Sequence, residues 1–139
     1  LYSIDLRNPT FVSRLTKNEA IESNIHLSPD GKYVYYQTYP IVSNAGLFNH
    51  TQQQLYSVDI TNGSNVRLGE DFNGNILGYA IRPEGGVYIL GHVGINVQIY
   101  LQESPFEPTI LQRGWSGTYD AITASSSSSS SSTEQSSIA

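Results

Sequence analysis

The sequence predicts an all-β chain of short antiparallel strands, and three observations carry that reading. It is rich in Gly, Ser, Asn, Thr and Tyr and only 14 % charged, which suits strands and turns better than helices. Tight-turn dipeptides such as Asp30-Gly31 and Asn62-Gly63 separate β-branched and aromatic runs. Above all, the chain repeats itself. Leu1-Tyr2-Ser3-Ile4-Asp5 returns as Leu55-Tyr56-Ser57-Val58-Asp59, an offset of 54 residues. Leu27-Ser28-Pro29-Asp30-Gly31 returns as Ile81-Arg82-Pro83-Glu84-Gly85 in the same register, which Asn8 with Asn62 and Val12 with Val66 also keep.

In chain order, Leu15 to Ser23 holds the one helical option, with Asn18 placed to cap Glu19-Ala20-Ile21-Glu22. It is a turn long and reads as the loop entering a strand. Asn24 to Leu27 is that strand, and Lys32 to Tyr39 is its partner across the Asp30-Gly31 turn. Pro40 to Gln53, rich in Asn and Gln, reads as a surface insertion. Gln53 to Ile60 is a strand with Leu55, Ser57 and Asp59 on one face and Tyr56, Val58 and Ile60 on the other. Thr61 to Ser64 turns the chain into a strand at Asn65 to Leu68, and Gly86 to Gly91 is a strand-sized apolar run. A weaker third copy begins at Ile99-Tyr100-Leu101, 44 residues after Leu55-Tyr56-Ser57, and continues through Thr109–Gln112 and Tyr119–Thr123. Ser125 to Ser132 is an unbroken serine run, expected to be disordered or a linker because it has no apolar surface to offset the entropy of ordering.

Each unit thus supplies about four antiparallel strands over roughly 40–50 residues, the period of a β-propeller blade. The expected architecture is a β-propeller fragment of two to three four-stranded antiparallel blades. Its units are 1–54 with the insertion 40–53, 55–98, the start of a third at 99–124, and a Ser-rich tail or linker at 125–139. Two blades cannot close a ring, so their free edges call for the remainder of a propeller or for other protein chains.

Leu27-Ser28-Pro29-Asp30-Gly31-Lys32-Tyr33-Val34-Tyr35-Tyr36 resembles the repeat shared by TolB-like proteins, the tricorn protease and the propellers of prolyl oligopeptidases and dipeptidyl peptidases. Leu55 to Gly63 is similar to the companion strand and turn of those families, and Ile81 to Gly86 is a looser copy with Glu84 in place of Asp. The resemblance covers residues 1 to 123. It implies a non-catalytic propeller segment that gates or shapes access to an active site borne elsewhere in a serine peptidase of prolyl oligopeptidase type. The peptide substrate of that parent would then be a partner. A TolB-like protein-interaction propeller and an extracellular structural or adhesion module are the alternatives. In each, Pro29, Asp30 and Gly31 serve the turn, Asp by bonding nearby backbone and Gly by taking positive φ.

Charge and composition narrow the classes further. A net charge of −5 with seven scattered Lys and Arg excludes a phosphate-binding surface, so no nucleic acid is expected. No apolar run approaches the ~20 residues of a membrane helix. The absence of Cys excludes disulfides and thiolate metal sites. The absence of Met suggests a processed or truncated chain, with no signal peptide left to read. Two acceptor triplets, Asn49-His50-Thr51 and Asn62-Gly63-Ser64, make Asn49 and Asn62 candidate glycosylation sites and favour a secreted or extracellular protein. Asn8-Pro9-Thr10 is blocked by its proline.

No catalytic, metal or cofactor residue is assigned. Gly114-Trp115-Ser116-Gly117 resembles the nucleophile elbow of the related peptidases, but Thr118 breaks its last position and no His follows. It reads as a turn with Trp115 wedged between sheets. His26, His50 and His92 lack ligand spacing, and the adjacent pair Glu70-Asp71 offers too few oxygens for calcium. Glu19 and Glu22 do not match the adjacent glutamates with which dipeptidyl peptidases hold a substrate amine. Tyr33, Tyr35, Tyr36 and Tyr39 are expected to pack between sheets, with an aromatic cage for a cation as the alternative.

Overall fold

The computed structural model describes residues 1–18, 20–40, 52–112 and 121–124. Among these the protein is all-β, without a helix, and forms three antiparallel sheets. β1 (Tyr2–Ile4) and β2 (Val12–Arg14) make a hairpin. β3 (Ala20–Leu27), β4 (Tyr33–Pro40), β5 (Gln54–Asp59) and β6 (Asn65–Leu68) form a four-stranded meander. β7 (Asn75–Ile81), β8 (Val87–Val93), β9 (Asn96–Gln102) and β10 (Ile110–Leu111) form a second one, and neither meander closes on itself.

The turns explain the pairing. Between β3 and β4 the Ser28 Oγ donates to Asp30 Oδ1 at 2.6 Å and accepts from the amide of Tyr33 at 2.9 Å. Gly31 takes φ +71°, the left-handed value that a side chain disfavours. The Ser28 hydroxyl and the Lys32 amide together hold the Asp30 carboxyl below its ordinary range. At the equivalent turn of the second meander Glu84 instead reaches Arg82, 2.6 Å away, so the looser copy is closed by an ion pair.

Register refines the repeat. Tyr2 faces Arg14 in the hairpin, whereas Tyr56 faces Arg67 in the first meander, so Arg14 and Leu15 correspond to Arg67 and Leu68. The counterpart of Val66 is therefore Ser13, not Val12, because the first loop is one residue longer. Leu15 N donates to Leu1 O at 2.9 Å, and Gln112 N donates to Ile99 O at the same distance. The last two strands of the unit thus occur three times. The meanders run 20–68 and 75–111, out of phase with a repeat counted from residue 1.

β3 begins at Ala20, four residues before the expected strand. A bulge between Ser23 and His26, where Asn24 takes φ +49°, breaks the alternation by which a strand is recognised. Pro40, expected to open the insertion, ends β4 opposite Ala20. The rest of the insertion through residue 51, Asn49 included, lies outside the described residues, as do Glu19, Gly114 to Gly117 and Ser125 to Ser132.

The two faces of β4 and β5 bury different cores, as their alternation requires. Leu55 and Leu68 meet Phe72 from the β6–β7 connection and Ile76, Tyr79, Val87 and Ile89 from the second meander. On the opposite face Tyr36 and Val58 pack with Leu15, Leu1 and Tyr56. Hairpin, meander and meander therefore stack as successive layers. The outer face and flanks of the hairpin stay apolar and exposed at Tyr2, Ile4, Phe11 and Val12.

Candidate functional site

The first strands of the two meanders, β3 and β7, are edge strands, and their bulges lie at similar depth: between Ser23 and His26, and between Ile76 and Gly78. A bulge bends its strand and re-aims the side chains around it. Here that brings Asn24 and His26 beside Tyr79 of the neighbouring sheet. The Tyr79 hydroxyl lies 2.5 Å from Asn24 O, 3.0 Å from Tyr35 O and 3.0 Å from His26 Nδ1. A phenol has one proton, which goes to the carbonyls, so the third contact requires His26 Nδ1 to be the donor. Burial pushes the Tyr79 phenol well above its ordinary range, so it is a fixed neutral donor.

A polar strap runs behind this cluster. Asn24 Nδ2 donates to Gln37 Oε1 at 2.6 Å, and Gln37 Nε2 donates to Ile76 O at 2.8 Å. Gln53 N donates to Asn75 Oδ1 at 2.6 Å, and Gln53 O accepts from Ile76 N at 3.2 Å. These bonds satisfy buried groups where the bulges interrupt the ladders, and they tie one sheet to the next. In front lies a cleft of about 450 Å³, lined by Asn24, His26, Leu77, Tyr79, Ile122 and Thr123 among others. Its chemistry is that of recognition: an imidazole, an amide and two strand edges that are unpaired among the described residues, with an apolar floor. Such edges can take an extended peptide by main-chain pairing.

The other sequence candidates do not converge on this cleft. His92 lies in β8 opposite Asn75, and His50 lies outside the described residues, as does Ser116. No group of three or more His, Asp or Glu that could hold a metal ion occurs among the described residues. Asp71 Oδ2 is engaged by Thr109, accepting from its amide at 2.8 Å. Glu22 Oε2 accepts from the Leu1 nitrogen at 2.6 Å, facing the hairpin. The four tyrosines of β4 cannot form one cage, because Tyr33 and Tyr35 lie on one face and Tyr36 on the other, where it stacks on Tyr56 at 5.8 Å. Tyr33 and Tyr35 instead line a second cleft of about 350 Å³ with Phe106, Asp59 and Asn62. Asn62 is exposed on the β5–β6 turn. Among the described residues no helix is long and apolar enough to cross a membrane.

Sequence reasoning missed Tyr79, Asn24 and Gln37 as a cluster. Their partners are 13 to 55 residues away, and those of Tyr79 and of the Gln37 amide nitrogen lie across a sheet-to-sheet interface, which no local spacing reports. The one signal available was Asn24 within a β-branched stretch, since Asn is among the few residues that accept positive φ. Comparison with known proteins returned no match to a family model, a curated protein or a solved structure.

Proposed function

We propose that the chain is a non-catalytic segment of a β-propeller, the part of a prolyl oligopeptidase-type serine peptidase that gates peptide access to an active site elsewhere. The observation that carries the propeller reading is the layering. Two four-stranded antiparallel meanders stack face to face, and an outer hairpin that repeats their last two strands, with exposed apolar side chains and an edge unpaired among the described residues, adds a third layer. The peptidase parentage rests on the motif at Leu27 to Tyr36. The cleft at Asn24, His26 and Tyr79 suits a gating or binding role, with strand edges and hydrogen-bonding groups and, among the described residues, no reacting pair.

The test is the intact mass and peptide map of the protein from its native source, compared with the 15.3 kDa of this sequence, with labelling by a serine-reactive fluorophosphonate. The expected result is a heavier chain that takes the label outside residues 1–139. A mass equal to that of the sequence with no labelling would overturn the peptidase reading. A second reading, a TolB-like interaction propeller, is favoured by the same strand edges, unpaired among the described residues. It predicts a heavier, unlabelled chain.

A further inference from the structure

We infer that Asn62 is an N-glycosylation site whose first sugar seats in the adjoining cleft against Phe106 and Tyr33. The triplet Asn62-Gly63-Ser64 has the required hydroxyl two residues on. The fold leaves it accessible, with Asn62 exposed at the tip of the β5–β6 hairpin. The turn is closed without using up the amide nitrogen. Gly63 N donates to Asp59 O at 2.9 Å, Asp59 N donates to Ser64 O at 2.9 Å, and Gly63 takes φ +71°. Asn62 Oδ1 accepts from Ser64 N at 2.7 Å, which fixes the orientation of the amide. Its Nδ2 makes only a long 3.5 Å contact with Asp59 Oδ2, and a substituted amide keeps one N–H for that contact.

The cleft supplies the receptor. It is about 350 Å³ and holds Asn62 and Ser64 from the turn, Tyr33 from β4, and Pro105 and Phe106 from the β9–β10 loop. Phe106 is 90 % exposed and belongs to neither core cluster, so the fold of the chain does not account for it. The apolar face of a pyranose is complementary to such a ring, and the Ser57 and Asp59 side chains in the same wall offer partners to sugar hydroxyls and an N-acetyl group. Because Tyr33 and Phe106 come from different meanders, a sugar held between them would brace the two sheets.

The chemistry balances with an oligosaccharide lipid pyrophosphate as donor. The Asn62 Nδ2–C1 bond of the first N-acetylglucosamine forms, and the C1–O bond to pyrophosphate breaks. The lipid pyrophosphate leaves with the electron pair, and Nδ2 gives up one proton. No oxidant or reductant is needed.

The test is translation of the full chain behind a cleavable signal sequence in microsomes. Peptide mapping after amidase deglycosylation reads occupancy whether or not the product folds. Asn62→Gln and Asn49→Gln assign the modification. Modification lost with Asn62→Gln supports the proposal, and an unmodified Asn62 overturns it. Seating is read on secreted protein before and after deglycosylation. The glycan should raise the unfolding midpoint by about 3 °C, and Phe106→Ala should remove that rise. A nuclear Overhauser contact between the N-acetyl methyl group and the Phe106 ring is the second readout. An occupied Asn62 with neither effect overturns the seating.

Discussion

The packing around Phe72 gives a prediction whose sign changes with background. A Cβ placed on Gly91 would lie 2.3 Å from Phe72 Cζ and 2.9 Å from Cε2, far inside contact distance. The ring is buried, and it also packs edge to face on Tyr100 at 4.6 Å between centroids. Gly91→Ala should therefore cost about 2 kcal/mol, the usual penalty for overfilling a packed core. Phe72→Leu deletes Cζ, Cε1 and Cε2, the atoms that approach Gly91, and should itself cost about 1–2 kcal/mol. In the Phe72→Leu background Gly91→Ala should become neutral or stabilise by about 0.5 kcal/mol, since alanine is favoured over glycine within a strand. The coupling is then about 2–2.5 kcal/mol, well above the ~0.5 kcal/mol expected of independent sites. Urea unfolding of the four proteins, with the denaturant slope unchanged, measures it. An equal cost of Gly91→Ala in both backgrounds would refute the steric argument.

Three further outcomes follow from the polar network and the turns. Tyr79→Phe removes the hydroxyl shared by Asn24 O, Tyr35 O and His26 Nδ1 and should cost about 1–2 kcal/mol, with the His26 ring nitrogen resonances shifting; unchanged resonances would rule out that contact. Ser28→Ala leaves the amide of Tyr33 without its side-chain acceptor and should cost about 1–2 kcal/mol in the same unfolding assay. At high pH, burial pushes the Tyr36 phenol up to about 12, against 10 in the unfolded chain. Above pH 10 the unfolded state binds fewer protons than the folded one, so stability falls as pH rises to about 12 and is unaffected below 9, by up to about 1.4 kcal/mol per pH unit for this group. Tyr36→Phe should flatten that limb of a pH–stability curve, and an unchanged slope would contradict it.

Much of the fold was legible because its determinants are local. The turn at Asp30-Gly31 announces itself through an acceptor side chain and a residue tolerant of positive φ, and β4 and β5 through alternation. The division of Leu55 and Ser57 from Tyr56 and Val58 became a division between two cores. The start of β3 was not legible, because the bulge at Asn24 interrupts the period-two pattern and leaves Ile21, Ile25 and Leu27 all exposed. The cluster around Tyr79 was equally hidden. It depends on two bulges lying side by side in sheets whose first strands begin 55 residues apart.

What the sequence by itself determined is the unit: short strands, their turns and a repeat, all consequences of which residues tolerate which backbone angles and which side of a strand they occupy. What only the tertiary structure decided is the phase and the meeting of units. Hydrogen bonding cut the repeat at Ala20 and at Asn75, and it moved the match of Val66 from Val12 to Ser13. Stacking brought Tyr79 to His26 and Phe106 to Tyr33. A strand's own pattern says which face is apolar, but the partner for that face is chosen by the global packing of layers, where contacts form between residues that no local rule connects.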